Sequence, residues 1–238
     1  MNLYYISHNL IFNHHNKCMY FENDTNLTKI SFLNFKNIMS EYCWEELDFV
    51  WELELGDKYM MLDCGSNGDC LFHCISEALN LNNIYKYKQN ELETQISIYD
   101  VAKLRNIASN EITNENFNFI LENYKIEEEM NEFQGSWNPG NILTINDFKN
   151  ELIKCGNNFW GDHLIIQLLS KALKINFVIL NNDIEDDTLS LTKVEIPSNK
   201  KYIILVYINK CHYKLLGKFD GRKMNIIFSK IPKSLDHI

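Results

Sequence analysis

The chain has 238 residues, 45% of them hydrophobic, and a net charge of −9, which suits one generous globular domain or a domain with an extra segment. It has no block of lysines and arginines, which with the acidic balance argues against nucleic acid as principal partner. No uncharged apolar run approaches the ~18 residues that span a bilayer, so no membrane segment is expected.

The seven cysteines, at 18, 43, 64, 70, 74, 155 and 211, are odd in number and scattered. The N-terminus lacks a basic region followed by an apolar core and a small-residue cleavage site. Together these point to free thiols in a reducing, cytoplasmic compartment.

In chain order, residues 1–56 are aromatic and Asn-rich and read as a lead-in, with an amphipathic helix expected from Leu33 to Val50. His14 and His15 stand near Cys18, but no second ligand pair follows at a suitable spacing, so no metal site is expected. Residues 57–63 form a strand candidate that delivers the chain to the turn Ser66-Asn67-Gly68-Asp69. A helix follows from Cys70, with apolar residues at 71, 72, 75, 78 and 79. Residues 81–95 are polar and read as a surface loop.

Further helices are expected over about 98–112, 115–134 and 146–154. The charged residues of the first of these, and the run Glu127-Glu128-Glu129 in the second, read as solvated faces. Residues 164–173 form another helix, with Asp162 placed to cap it. Strand candidates then come at 175–180, 189–196, 202–208 and 212–218, with a hairpin-length connection at 209–211 and a last edge candidate at 224–228. No internal repeat or low-complexity linker divides the chain. The expected organisation is a lead-in (1–56), one domain (57–220) and a C-terminal strand or tail (221–238).

Cys70 is the candidate nucleophile. A cysteine at a helix N-terminus sits among unsatisfied N–H groups and a partial positive charge, which favour the thiolate. The same N–H groups can donate to an oxyanion, so one turn offers a nucleophile and its transition-state stabiliser. The plainer reading is a small buried hydrophobe. A cysteine nucleophile needs a base, and histidine titrates near the working pH. Of the histidines outside the terminal segments, His73 shares the helix of Cys70, His163 follows a cap, and His212 stands at the junction of turn and strand. His212 leads.

Three blocks, Asn67-Gly68-Asp69-Cys70-Leu71-Phe72-His73, Trp160-Gly161-Asp162-His163-Leu164 and Cys211-His212-Tyr213, occur in this order over about residues 57–219. Together the set resembles the ovarian tumour (OTU) family of cysteine proteases, the deubiquitinases. The resemblance implies an α/β (α+β) papain-like fold with a small central sheet flanked by helices, and no metal or other cofactor. It implies thiol-dependent cleavage of isopeptide bonds at the C-terminus of ubiquitin or polyubiquitin. By motif, Cys70 would be the nucleophile and His212 the base, with Gly68 and Asp69 shaping the oxyanion turn and Trp160, Gly161 and Asp162 as neighbours of the site.

Two positions depart from the family pattern. Asn67 stands where an Asp is usual, and Lys214 stands two residues after the histidine, where many members carry Asp or Asn. A charged lysine cannot accept from an imidazole N–H. Asn67 is the first candidate to orient His212, with Asp63 and Asp69 as alternatives. The competing functions are a weak or inactive ubiquitin-binding module, a protease for another ubiquitin-like modifier, and a structural protein with an inert Cys70. The Asn-, Lys- and Ile-rich composition fits an AT-rich genome, and a viral or parasite source would place the protein in host cytoplasm.

Overall fold

The computed structural model describes residues 3–7, 10–13, 18–23, 26–30, 44–47, 49–56, 58–88, 99–183, 188–219 and 224–235. The stretch expected to be a mere lead-in holds an antiparallel meander of β1 (Leu3–Ser7), β2 (Leu10–Asn13), β3 (Cys18–Asn23) and β4 (Asn26–Ile30). His14 and His15 lie outside the described residues, as does the first part of the helix expected from Leu33. The rest of that expectation needs correcting, because Trp44–Glu46 is a strand, β5. Its Trp44 is buried in the main core while Glu45 and Glu46 stay exposed. The helix α1 begins only at Phe49 (Phe49–Leu55) and leads to β6 (Tyr59–Leu62), which pairs with β5 as Trp44↔Leu62.

Five helices follow. The first, α2 (Cys70–Lys88), runs through much of the stretch expected to be loop. Leu81, fully buried and three residues after buried Ala78, extends its apolar face by another turn. Next come α3 (Val101–Asn110), α4 (Phe117–Glu129), α5 (Ile145–Leu152) and α6 (His163–Leu173). Asp100 caps α3, accepting from the Lys103 N–H at 2.7 Å, and Thr144 with Asp147 forms a capping box on α5. Asp162 caps α6, accepting from the Ile165 N–H at 2.9 Å. No helix among the described residues is long and apolar enough to cross a membrane.

The remaining strands are β7 (Asn176–Asp183), β8 (Thr188–Val194), β9 (Tyr202–Ile208), β10 (His212–Phe219) and the short β11 (Met224–Asn225). With β5 and β6 they form a mixed sheet in the order β5-β6-β10-β9-β7-β8, and β11 pairs with β10. The β7 and β9 pair is parallel and the others are antiparallel.

The apolar runs of β7 and β9 are continuous rather than alternating because both faces are covered. Phe177, Ile179, Ile203, Leu205 and Leu215 join the helices in one core, which includes Leu71, Phe72 and Ile75 of α2. Val178, Leu180, Ile204, Val206 and Leu216 face the other way, onto Trp51 of α1 and Leu235 of the C-terminal segment. The sheet order sets up the site. It places the end of β6 beside the start of β10, and α2 packs across β10 with Cys70 at its head.

Candidate active site

The turn that launches α2 needs unusual backbone. Asn67 and Gly68 both have positive φ, at 62° and 82°, and a Cβ on Gly68 would lie 2.5 Å from the Gly156 carbonyl oxygen. Only glycine meets both demands. Gly161, expected as a neighbour of the site, is close-packed for a similar reason, since a Cβ there would lie 2.5 Å from Leu71 Cδ2.

Asp69 fastens the turn from inside. Its carboxylate accepts from Arg105 Nε at 2.8 Å and Nη2 at 2.5 Å, and from the Gly156 N–H at 2.6 Å. Arg105 also donates to the carbonyls of Leu152 at 3.0 Å and Phe159 at 2.7 Å, with its guanidinium 4.2 Å from the centre of the Phe72 ring. It is fully buried. The expectation that the charged residues of this helix mark only a solvated face is therefore wrong for Arg105. The signal for it was its spacing, four residues after Val101 and three before Ala108, within the apolar stripe of α3. Through one side chain, α3 ties together the Cys70 turn, the end of α5 and the loop before α6.

Cys70 is the first residue of α2 and is 7% exposed. Burial pushes its thiol up to about 11. Against this, the backbone N–H of Tyr213 points at the sulfur and pulls the value down, helped by the N–H groups of Leu71 and Cys70 itself. The sequence led us to expect a lowered value. The helix N–H groups do act, but desolvation outweighs them. Cys74, one turn on, donates through its thiol to the Tyr213 carbonyl at 3.3 Å. Both backbone polar groups of Tyr213 are thus held by α2, and the residue before it is His212.

His212 opens β10 after a tight turn in which Asn209 and Lys210 take left-handed φ of 52° and 53°. Two side chains brace this turn. Gln134 Nε2 and the Tyr207 hydroxyl both donate to the Lys210 carbonyl, at 2.6 and 2.5 Å. His212 Nε2 faces the Asp63 carboxylate, with Oδ1 at 3.3 Å. That is close enough for an ion pair but out of line for a hydrogen bond, and no partner in line reaches Nε2. Asp63 Oδ1 also accepts from the Gly65 N–H at 3.1 Å.

The three groups considered for orienting His212 are placed differently. Asn67 stands exposed at the apex of the turn, Asp69 is engaged by Arg105, and the acidic group facing His212 is Asp63. Strand pairing is the cause, because β6 runs beside β10 and ends at the residue before Asp63. Lys214, which looked like a defect, donates to Glu45 Oε2 at 2.5 Å. The acceptor belongs to β5, a strand the sequence reading assigned to the lead-in.

Beside this arrangement lies a pocket of about 180 Å³ lined by Trp160, Tyr207, Gln134, Glu127, Glu132 and Asp162. Among the described residues no group of three or more His, Cys, Asp or Glu side chains is arranged to hold a metal ion.

A buried cysteine at a helix head, with a histidine on the adjoining strand and a carboxylate behind it, is the equipment of a thiol hydrolase. The profile of the OTU-like cysteine proteases matches residues 65–215, which contain Cys70 and His212. The chain belongs to the OTU-like cysteine protease family. A curated viral relative, "Putative ubiquitin thioesterase L96" of Tipula iridescent virus, is 22% identical over 179 residues. That match takes in 73% of this chain but only 18% of the relative, so the chain spans about a fifth of the relative's length.

Solved structures similar to the chain include an OTU domain in complex with ubiquitin, at 18% identity and a TM-score of 0.44, covering 75% of this chain and 78% of that one. An OTU deubiquitinase from Wolbachia pipientis has 12% identity and a TM-score of 0.43, with 76% and 96% covered. The viral OTU domain protease from Taggert virus has 14% identity and a TM-score of 0.41, with 71% and 86% covered.

Proposed function

We propose that this OTU domain is a deubiquitinating cysteine protease, which cleaves the bond between a ubiquitin C-terminus and the amine that carries it. The observation that supports this best is the seating of Cys70, whose sulfur meets the N–H of the residue following His212 at the head of α2. Cys70 Sγ attacks the carbonyl of the terminal glycine as His212 takes the thiol proton. The N–H groups of the turn built by Gly68 and Asp69 stabilise the oxyanion. His212 returns the proton to the leaving amine, and water then releases the acyl group from sulfur. Asp63 stabilises the imidazolium in the part first assigned to Asn67.

With its thiol pushed up to about 11 by burial, Cys70 rests as a thiol, and His212 takes its proton to make the nucleophile. A reducing cell interior keeps such a thiol competent, and we place the protein there. The likeness to a curated relative from an iridescent virus supports host cytoplasm as the setting. A second reading, a ubiquitin-binding module that cleaves poorly, draws on the same high thiol value and on the unaligned contact between His212 and Asp63.

Ubiquitin carrying an electrophile at its C-terminus tests both readings. A covalent adduct with the wild-type protein and none with Cys70→Ala is the expected result. Binding of ubiquitin without an adduct would favour the module. Absence of both would overturn ubiquitin as the partner and direct the test to other modifiers.

A further inference from the structure

A second cavity, of about 750 Å³, lies at the end of the sheet remote from Cys70. Its walls come from the middle of α2, from Tyr99, from the end of α6 and from the segment between β8 and β9. Lys201 is the residue before β9, and the far end of that strand pairs with His212, so about 20 Å of strand separates the cavity from the candidate base. Leu79 lies nine residues along α2 from Cys70, or about 14 Å.

The charge of this cavity opposes that of the chain. Lys171, Lys174, Lys200 and Lys201 line it and are all exposed, while the buried Leu79 and Ile175 form an apolar floor. Among the described residues no Asp or Glu lines it, in a protein of net charge −9. Lys171 is paired with Glu111 at 2.9 Å, whereas Lys174 and Lys200 have no ion-pair partner among the described residues. Lys171 and Lys174 complement the C-terminal end of α6, but Lys200 and Lys201 come from another segment and owe nothing to that helix. Lys174 also takes a left-handed φ of 55°, where helices usually place glycine.

Two buried asparagines hold the walls in place. Asn80, 1% exposed, accepts from the Tyr99 N–H at 2.8 Å and donates to the Tyr99 carbonyl at 2.7 Å, and Ser76 Oγ donates to that carbonyl at 2.7 Å. Asn176, 2% exposed, accepts from the Ile196 N–H at 2.8 Å and donates through Nδ2 to the Asn199 carbonyl at 3.3 Å. Its backbone N–H donates to the Lys201 carbonyl at 2.8 Å. A buried amide is retained only where it is paired, and both of these are spent on the walls of the cavity. The lysines therefore stand on a fixed frame, and the concavity is formed before any ligand arrives.

We infer that this cavity docks an acidic polypeptide segment carrying an apolar residue, presented by a partner protein, and leaves the active site free while it does so. A bare inorganic anion would satisfy the lysines and leave the apolar floor in water. A long nucleic acid would run past the lysines onto a surface of negative net charge. A short acidic segment with one apolar anchor meets both the rim and the floor. The inference holds whether or not Cys70 cleaves ubiquitin conjugates.

The test follows the fluorescence anisotropy of a dye-labelled peptide, Glu-Asp-Leu-Asp-Glu with blocked termini, as the full chain is added. The expected result is a saturable rise that weakens with added salt and is about tenfold weaker for the pair Lys174→Gln and Lys200→Gln. Both lysines are exposed, so the pair should unfold at the wild-type temperature. Unlabelled Gln-Asn-Leu-Asn-Gln, without the charge, and Glu-Asp-Ser-Asp-Glu, without the anchor, should each compete at least about tenfold less well than the parent peptide. No saturable binding, no effect of the glutamines, or equal competition by either control would overturn the inference. Displacement of the peptide by lower concentrations of inorganic tripolyphosphate or of a short single-stranded DNA would also overturn it, in favour of a phosphate site. Ubiquitin bearing a C-terminal electrophile should label Cys70 at the same rate with and without saturating peptide, and blocked labelling would place the peptide in the active site instead. Peptide binding with no labelling under any condition would leave the docking cavity standing and remove the proposed activity.

Discussion

Arg105→Met removes the side chain that holds the Cys70 turn together. Asp69 would keep its carboxylate at 10% side-chain exposure with only the Gly156 N–H as a close partner, and the carbonyls of Leu152 and Phe159 would lose their donors. Breaking a buried pair by removing one partner costs about 3–5 kcal/mol, because it leaves an uncompensated charge in the interior. A domain of this size is stable by roughly 5–15 kcal/mol, so the variant folds but gives up a large share. At about 2–4 °C per kcal/mol for chains of this length, the midpoint of thermal unfolding should fall by roughly 6–20 °C.

The size of this effect alone does not distinguish charge from volume, so the paired variant Asp69→Leu with Arg105→Met is measured beside it. Replacing both charges by apolar groups of similar size is often neutral, so most of the lost stability should return. Calorimetry or urea unfolding provides the numbers. A loss below about 1 kcal/mol for Arg105→Met would refute the reasoning, since it would put the pair in the range of exposed ion pairs served by water. Activity should not return with stability in the paired variant, because the Gly156 N–H would still lose the carboxylate that fixes the turn.

Asp63→Asn should lower kcat about tenfold with KM nearly unchanged in ubiquitin-fluorophore hydrolysis, less than for a sequestered triad acid because Asp63 is 42% exposed and out of line with His212. An equal loss from Asn67→Ala would return the orienting part to Asn67. Lys214→Ala should leave kcat within about twofold and change stability by less than about 0.5 kcal/mol, since its partner Glu45 is largely exposed. Alkylation of Cys70 by iodoacetamide should accelerate about tenfold per pH unit between pH 8 and 10, and a rate flat over that range would contradict a thiol held near 11.

Glu127 gives a pH signature of its own. Its carboxyl keeps its proton to about 7 when folded but only to about 4.5 when unfolded, so its contribution to stability is present below about 4.5 and lost as pH rises through about 7. Glu127→Gln should therefore unfold at a higher temperature than wild type at pH 8 and at the same temperature at pH 4. A difference of the same size at both values would point to packing.

What could be read from the sequence was what local pattern controls. The strand Tyr202–Ile208, the cap at Asp162 and a helix opening at Cys70 follow from runs of apolar residues, a turn and a capping side chain, all within a few residues of one another. What could not be read depends on which strands become neighbours. Asp63 and Asn67 flank the same turn and differ little as sequence; pairing of Leu62 with Leu215 puts one beside His212, and the positive φ of the other lifts it into solvent. Arg105 looked like any charged helix residue until the Cys70 turn folded onto it.

Lys214 carries this reasoning furthest. Judged against the pattern two residues after the histidine, it removes an acceptor from the site. In the sheet, β6 lies between β5 and β10, and Glu45 reaches across it to hold the lysine. Glu45 lies outside residues 65–215, where the family pattern applies, so no motif could contain it. Asp63 lies outside that span as well. The two carboxylates divide the work at β10, with Glu45 drawing Lys214 away and Asp63 facing the imidazole, so the site depends on strands that precede the nucleophile motif.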